Sequence, residues 1–230
     1  MRVIVRTVSE LCITVGTLIV LFVVYVLFWT GVKADSEMND QIDRLHQQWS
    51  KGAGHPTVAA SRGPGKPAPG PARYTYGRPF AIMYIPRFGF TWNKPVLEGT
   101  GTAVLKKGLA HYPRTARLGQ EGNFAVAGHR RTYGDPFEDF PELRSGDAVV
   151  LTDGSTWFTY RIDKGPYKTV PGDVEVIDAV PRTSGYTRPG RYLTLTTCDP
   201  EWGHSHRLIV WAHLDSTQPV EAGEPEALRR

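Results

Sequence analysis

The chain has 230 residues, room for one domain with appendages. Its 27 Lys and Arg against 23 Asp and Glu leave a net charge of +4 scattered along the sequence, which argues against a nucleic-acid surface. Two cysteines, one inside an apolar N-terminal stretch, leave no disulfide framework.

Residues 11–29 run without a charge, close to the length of about 20 residues that crosses a bilayer. A cleaved signal peptide is the alternative, but the run is long for one, and Tyr25, Phe28 and Trp29 stand where small residues would mark cleavage. The stretch reads as an uncleaved signal anchor. Arg2 and Arg6 favour a cytoplasmic N-terminus, so everything after Gly31 faces outward. Residues 1–33 form this anchor. Next comes a short helix capped by Ser36, with Met38, Ile42, Leu45 and Trp49 on one face and Gly52 as its stop. That stripe could pair chains, lie on lipid or simply extend the anchor. Residues 52–71 are dense in Gly and Pro and read as a mobile stalk, completing a segment of 34–72. A disordered tail is expected over 216–230.

Residues 73–215 carry a β pattern. Strands are predicted at 80–85, 91–95, 123–127, 148–151, 156–163, 174–177, 191–197 and 208–214, with short helices at 102–109 and 136–143. Eight short strands with little helix mean an all-β barrel or sandwich. On the last two strands, Leu193 and Leu195 share a face with Thr194, Thr196 and Cys198 opposite. Leu208, Val210, Ala212 and Leu214 likewise oppose Arg207, Ile209, Trp211 and His213. If the apolar faces fill a barrel, Cys198 and Arg207 both point outward, and neighbouring strands would bring them together.

Cys198 is a lone thiol in a segment expected to face an oxidising exterior, which suggests a reactive group rather than a buried structural cysteine. A thiol, an imidazole and a guanidinium are the minimum set for acyl transfer through a thioester. Pattern alone leaves the imidazole open. His129 ends the run Asn123-Phe124-Ala125-Val126-Ala127-Gly128; His204 and His206 lie closest to Cys198 in sequence; His213 shares the Arg207 face; His46 and His55 sit in the stalk region; and His111 sits in a turn beside Tyr112. No cofactor is called for, and His204 and His206 lack the second ligand pair a metal would need.

The run Thr194-Leu195-Thr196-Thr197-Cys198 resembles the TLxTC signature of sortases, with Arg207 where they carry the arginine of the following strand. Gly128-His129-Arg130 is similar to their histidine segment, and Leu109-Ala110-His111-Tyr112-Pro113 with Gly119-Gln120-Glu121-Gly122-Asn123 to the stretch leading into it. Tyr112 and the continuation Cys198-Asp199-Pro200 look most like class E. The pilus-building class carries an Asp-Pro-aromatic lid before the barrel, whereas Asp135-Pro136-Phe137 here follows His129. The resemblance implies an eight-stranded sortase-type β-barrel and a cysteine transpeptidase in which Cys198, His129 and Arg207 are catalytic, with Tyr112, Thr196 and Thr197 as substrate contacts. It also implies secreted proteins bearing a Leu-Ala-x-Thr-Gly sorting signal as substrates and a peptidoglycan amine as acceptor. An L,D-transpeptidase is disfavoured by the missing histidine-glycine-cysteine-arginine cluster. A membrane-tethered binding barrel with an incidental Cys198 is the non-enzyme alternative.

Overall fold

The computed structural model describes residues 2–51 and 74–229. Eight strands close into a barrel: β1 (Pro79–Tyr84), β2 (Asn93–Glu98), β3 (Leu109–His111), β4 (Gly122–Ala127), β5 (Ala148–Thr152), β6 (Thr156–Thr169), β7 (Arg191–Asp199) and β8 (His206–Pro219). They follow one another around the wall as β1-β2-β3-β4-β7-β8-β6-β5, and β5 pairs back onto β1. Closure leaves the barrel wall without a terminal strand. Two of the pairings, β2 with β3 and β4 with β7, are parallel.

The period-two pattern of the sequence sets which side chains fill this barrel. Leu193 and Leu195 of β7 meet Leu208, Val210 and Ala212 of β8, Phe124 and Val126 of β4, and Val149 and Leu151 of β5 in one buried cluster. Burying each such side chain is worth about 1.5–3 kcal/mol, so a one-residue slip of either strand would be prohibitive. The intervening residues therefore face outward, as the alternation predicts.

The predicted strand at 174–177 is instead a 3-10 helix, Val174–Ile177, laid across the outside of β7 and β8. It is fixed by tertiary contacts. Val176 packs on Ile209 and Trp211, and the Trp211 indole N–H donates to the Val176 carbonyl at 3.0 Å. Asn123 donates to the Asp178 carbonyl at 2.9 Å from the neighbouring strand. The predicted helix at 102–109 stops early: α2 covers only Thr102–Leu105, and β3 begins at Leu109. Gly108 makes this switch, with φ +154° and no side chain; a Cβ there would sit 2.6 Å from the Pro95 carbonyl oxygen of β2. Of the predicted helix at 136–143, only the 3-10 turn Phe140–Glu142 forms.

The N-terminal anchor and the following amphipathic segment are one helix, α1 (Arg2–Ser50), in which Ser36 is an interior residue rather than a cap. Gly31 costs a helix interior only about 1 kcal/mol and does not break it. Ile4–Tyr25 is long and apolar enough to cross a membrane, with a mean hydropathy of 2.2, and overlaps the predicted span of 11–29. The stripe after it packs on the barrel. Met38 and Leu45 are each 1 % exposed, Asp35 pairs with Lys94 of β2 at 3.4 Å, and Trp49 lies against Gly154 in the β5–β6 turn. The stalk predicted at 52–71 lies outside the described residues. The tail is ordered, contrary to its composition. β8 runs on to Pro219, and Val220, Ala227 and Leu228 cover Ala148, Val150 and Trp157 on the outside of β5 and β6. A few apolar residues suffice there because a waiting apolar patch receives them.

Candidate active site

Three strand ends bring the predicted site residues to one rim of the barrel. β4 and β7 run parallel with Ala127 beside Thr196. The pairing continues past the strand end: the Gly128 N–H donates to the Thr196 carbonyl at 3.1 Å, and the Thr197 hydroxyl donates to the Gly128 carbonyl at 2.9 Å. His129 thus leaves β4 level with Cys198. On the other side, β7 and β8 are antiparallel, and Cys198 is directly opposite Arg207. Thiol, imidazole and guanidinium come from three adjacent strands, with Cys198 in the middle. Cys198 is a free, half-buried thiol.

Arg207 is aimed by the β7–β8 loop, with its Nη1 donating to the His204 carbonyl at 3.0 Å and the His206 carbonyl at 2.8 Å. His129 opens a loop in which Thr132, Tyr133 and Asp135 all have positive φ, at 80°, 53° and 45°. Three non-glycine residues in that region mark a segment held by its surroundings. The Tyr133 ring lies 5.2 Å from that of His129, and the Lys106 ammonium sits 5.0 Å over Tyr133. Burial pushes the His129 imidazole below its usual pKa, and the Lys106 charge adds to this against the opposing pull of Asp135. A largely neutral imidazole at neutral pH can accept a proton from an amine.

Lys106→Gln is expected to raise the His129 midpoint. An NMR titration of the ring should give a wild-type value below about 6.5, moving upward in the variant. An unmoved midpoint would remove Lys106 from this account. The stability sign follows. Because the folded value lies below the unfolded one, the unfolded chain takes up the proton first, and the His129 contribution is lost as pH falls through that window.

A bridge unseen in the sequence joins the histidine and cysteine segments. Arg130 donates to one oxygen of Asp199 at 2.7 Å, and Lys168 of β6 reaches the other at 2.7 Å. The Lys168 ammonium, helped by Arg130, holds the Asp199 carboxyl below its ordinary range despite partial burial. The available signal was simple: opposite charges immediately follow His129 and Cys198. Arg131 adds a contact to Glu201 between the same two loops and one to Glu138 within its own.

Below Arg207 on the outer face runs a groove of about 110 Å³, lined by Tyr112, Thr169, Val176, Thr196, Arg207 and Ile209 among others. The Tyr112 hydroxyl lies 3.2 Å from that of Thr196. Thr197 is 2 % exposed and is spent on the Gly128 carbonyl, so it stands apart from this lining. Of the other described histidines, His213 bonds Asp163 at 2.8 Å, His206 bonds Ser205 at 2.9 Å, His204 is exposed, His111 is buried against Glu98, and His46 lies in α1 against Trp49; His55 lies outside the described residues. Among the described residues, no three His, Cys, Asp or Glu side chains gather as a metal site.

The family model of the sortase domain matches residues 83–215. The chain belongs to the sortase family. Sortase SrtE1 of Streptomyces coelicolor is 36% identical over 97% of the chain, which spans 60% of that relative's length. The structure of sortase E from Streptomyces avermitilis is 83% identical and has a TM-score of 0.65, covering 68% of the chain and all of that structure. Sortase E1 from Streptomyces coelicolor, solved with a tripeptide in its active site, is 36% identical with a TM-score of 0.63, covering 69% of the chain and 100% of its own. This sortase therefore groups with class E.

Proposed function

We propose that this sortase is a membrane-anchored cysteine transpeptidase that cleaves the Thr–Gly bond of a Leu-Ala-x-Thr-Gly sorting signal and passes the acyl group to a peptidoglycan amine. The observation that carries the reading is Cys198 flanked by Arg207 across β8 and by the His129 segment along β4, above a groove reaching Tyr112. The Cys198 thiol passes its proton to the His129 imidazole as its sulfur attacks the threonine carbonyl carbon, and the carbonyl π pair moves onto its oxygen. Arg207 N–H groups stabilise that oxyanion. As it collapses, the C–N bond breaks and His129 protonates the departing glycine amine, leaving a thioester on Cys198. His129 then takes a proton from the incoming amine as the amine displaces the thiolate. Arg2 and Arg6 favour a cytoplasmic N-terminus, so the barrel lies outside, where secreted proteins carrying the signal arrive.

Selectivity at the second signal position falls to Tyr112. Alanine, unlike proline, leaves a backbone N–H and open space, and a tyrosine can fill that space and accept that hydrogen bond. Its hydroxyl already has a polar neighbour in Thr196. Matched Leu-Ala-x-Thr-Gly and Leu-Pro-x-Thr-Gly peptides test both parts. Mass spectrometry should find an acyl adduct on Cys198, formed faster from the alanine peptide. Tyr112→Phe should narrow the kcat/KM ratio several-fold, the size of one hydrogen bond of about 0.5–1.5 kcal/mol. Absence of an adduct from either peptide would refute the transpeptidase reading; a ratio unchanged in Tyr112→Phe would place Tyr112 in the scaffold.

A further inference from the structure

We infer that the buried His111–Glu98 pair is a positioning element that holds the Tyr112 wall of the groove, a role that rests on the groove being the signal-binding site. His111 is 1 % exposed and Glu98 8 %. They face each other as partners in the parallel β2–β3 pairing, with His111 Nδ1 2.6 Å from the Glu98 carboxylate. The imidazole is stacked on Phe124 at 4.7 Å, and the rings of Phe80 and Tyr74 meet it edge-on at 5.7 and 5.8 Å. Arg117, stacked over Tyr74 at 4.3 Å, is the nearby cation.

Donor counting gives this pair its role. His111 Nε2 lies 3.1 Å from the Ala116 carbonyl and 3.1 Å from the Thr115 hydroxyl oxygen. The carbonyl can only accept. The Thr115 hydroxyl gives its own proton to the Tyr112 carbonyl at 2.8 Å, so toward His111 it too can only accept. Nε2 must therefore carry a hydrogen. On the other side, two lone pairs cannot face each other at 2.6 Å, so Nδ1 and the carboxylate share a second proton. Both partners of Nε2 are thus acceptors, and a proton bridges Nδ1 to Glu98. The ring clamps Glu98 in β2 to the turn Tyr112–Ala116, and the Thr115 hydroxyl, which also accepts the Ala125 N–H at 3.2 Å, passes that constraint to the Tyr112 backbone. Tyr112 itself donates its N–H to the Ala125 carbonyl at 3.0 Å, and its phenol then reaches Thr196 over the groove. The pair touches none of Cys198, His129 or Arg207. It acts on where the groove wall stands rather than on the reacting atoms.

The test compares three variants in the full chain. Glu98→Gln keeps an N–H donor toward Nδ1 while Nε2 keeps its hydrogen, so the clamp survives without charge. His111→Phe preserves the stacking but removes both donors and strands the Glu98 carboxylate. The double variant Glu98→Leu/His111→Phe removes the stranded charge and keeps the site filled, and its thermal unfolding shows whether it folds. In the folded double variant, KM for the alanine peptide should rise roughly three- to tenfold, the size of one or two lost hydrogen bonds, with kcat within about twofold. Glu98→Gln should stay near wild type. Adding Tyr112→Phe to the double variant should cost little more, because both changes disable one wall. Tyrosine ring carbon resonances give a readout without substrate: the Tyr112 signal should move in the double variant and stay put in Glu98→Gln. An unmoved Tyr112 signal in a folded double variant overturns the proposal, as does an unchanged KM or full additivity with Tyr112→Phe. If the wild type acylates with neither peptide, the proposed function fails, and the Tyr112 resonance still decides the clamp.

Discussion

Cys198→Ala is expected to abolish acyl-enzyme formation, peptide cleavage and transfer together while leaving the barrel folded. Cys198 sits at the outer end of β7, half-buried, beyond the apolar pairs that hold the strand in register. Removing one sulfur there opens no core cavity, so stability should change by no more than about 0.5 kcal/mol. Activity behaves differently. Asp, Glu, Ser and Thr side chains near the rim are weak nucleophiles toward an amide, and His129, with its depressed pKa, has no thiol left to serve. Loss of a nucleophile from a set that works as a unit costs on the order of 10⁴-fold or more. Measured turnover of the peptides, set beside thermal unfolding of the same preparation, checks this. Appreciable turnover by a well-folded Cys198→Ala protein would end the thioester mechanism.

How far the site could be read in advance depended on whether its determinants were local. The faces of β7 and β8 were legible because alternation is a local property: once Leu193 and Leu195 point inward, Cys198 points outward, and Arg207 follows from the same logic on β8. The histidine was not legible in this way. Seven histidines occur in the chain, and what selects His129 is the parallel pairing of β4 with β7, between segments far apart in sequence. No periodicity encodes such a pairing, so the family resemblance had to supply it. Val174–Ile177 misled for the opposite reason. Its β-branched residues carry strand propensity, but Val176 is used to cover Trp211 from outside, and tertiary burial outweighed propensity. β3 is only three residues long and is started by Gly108, too short a span for a pattern to declare itself. The Arg130–Asp199–Lys168 bridge needed all three strand ends in place before its charges had a meaning.

Arg207→Ala is expected to lower kcat about a hundred- to a thousandfold, the usual cost of one oxyanion donor, and Arg207→Lys to lower it less but clearly. The reason lies in how the guanidinium is held. One nitrogen, Nη1, is engaged by the His204 and His206 carbonyls, which fixes the plane of the group before any substrate arrives. A guanidinium has five N–H donors in a rigid fork, so it can satisfy the loop and still present others to an oxyanion. An ammonium has three donors on a flexible stem. In Arg207→Lys the same nitrogen must serve both the loop carbonyls and the developing charge, and whichever it serves the other is weakened. The β7–β8 loop should then loosen, which separates the two losses experimentally. Hydrogen exchange of the loop amides reports its anchoring, while single-turnover acylation of Cys198 reports the chemical step. The expected pattern is a faster-exchanging loop in both variants and an acylation rate that falls in the order wild type, lysine, alanine. Near-normal acylation by Arg207→Ala, whatever its loop does, would make Arg207 a loop anchor and return the oxyanion to other donors at the rim.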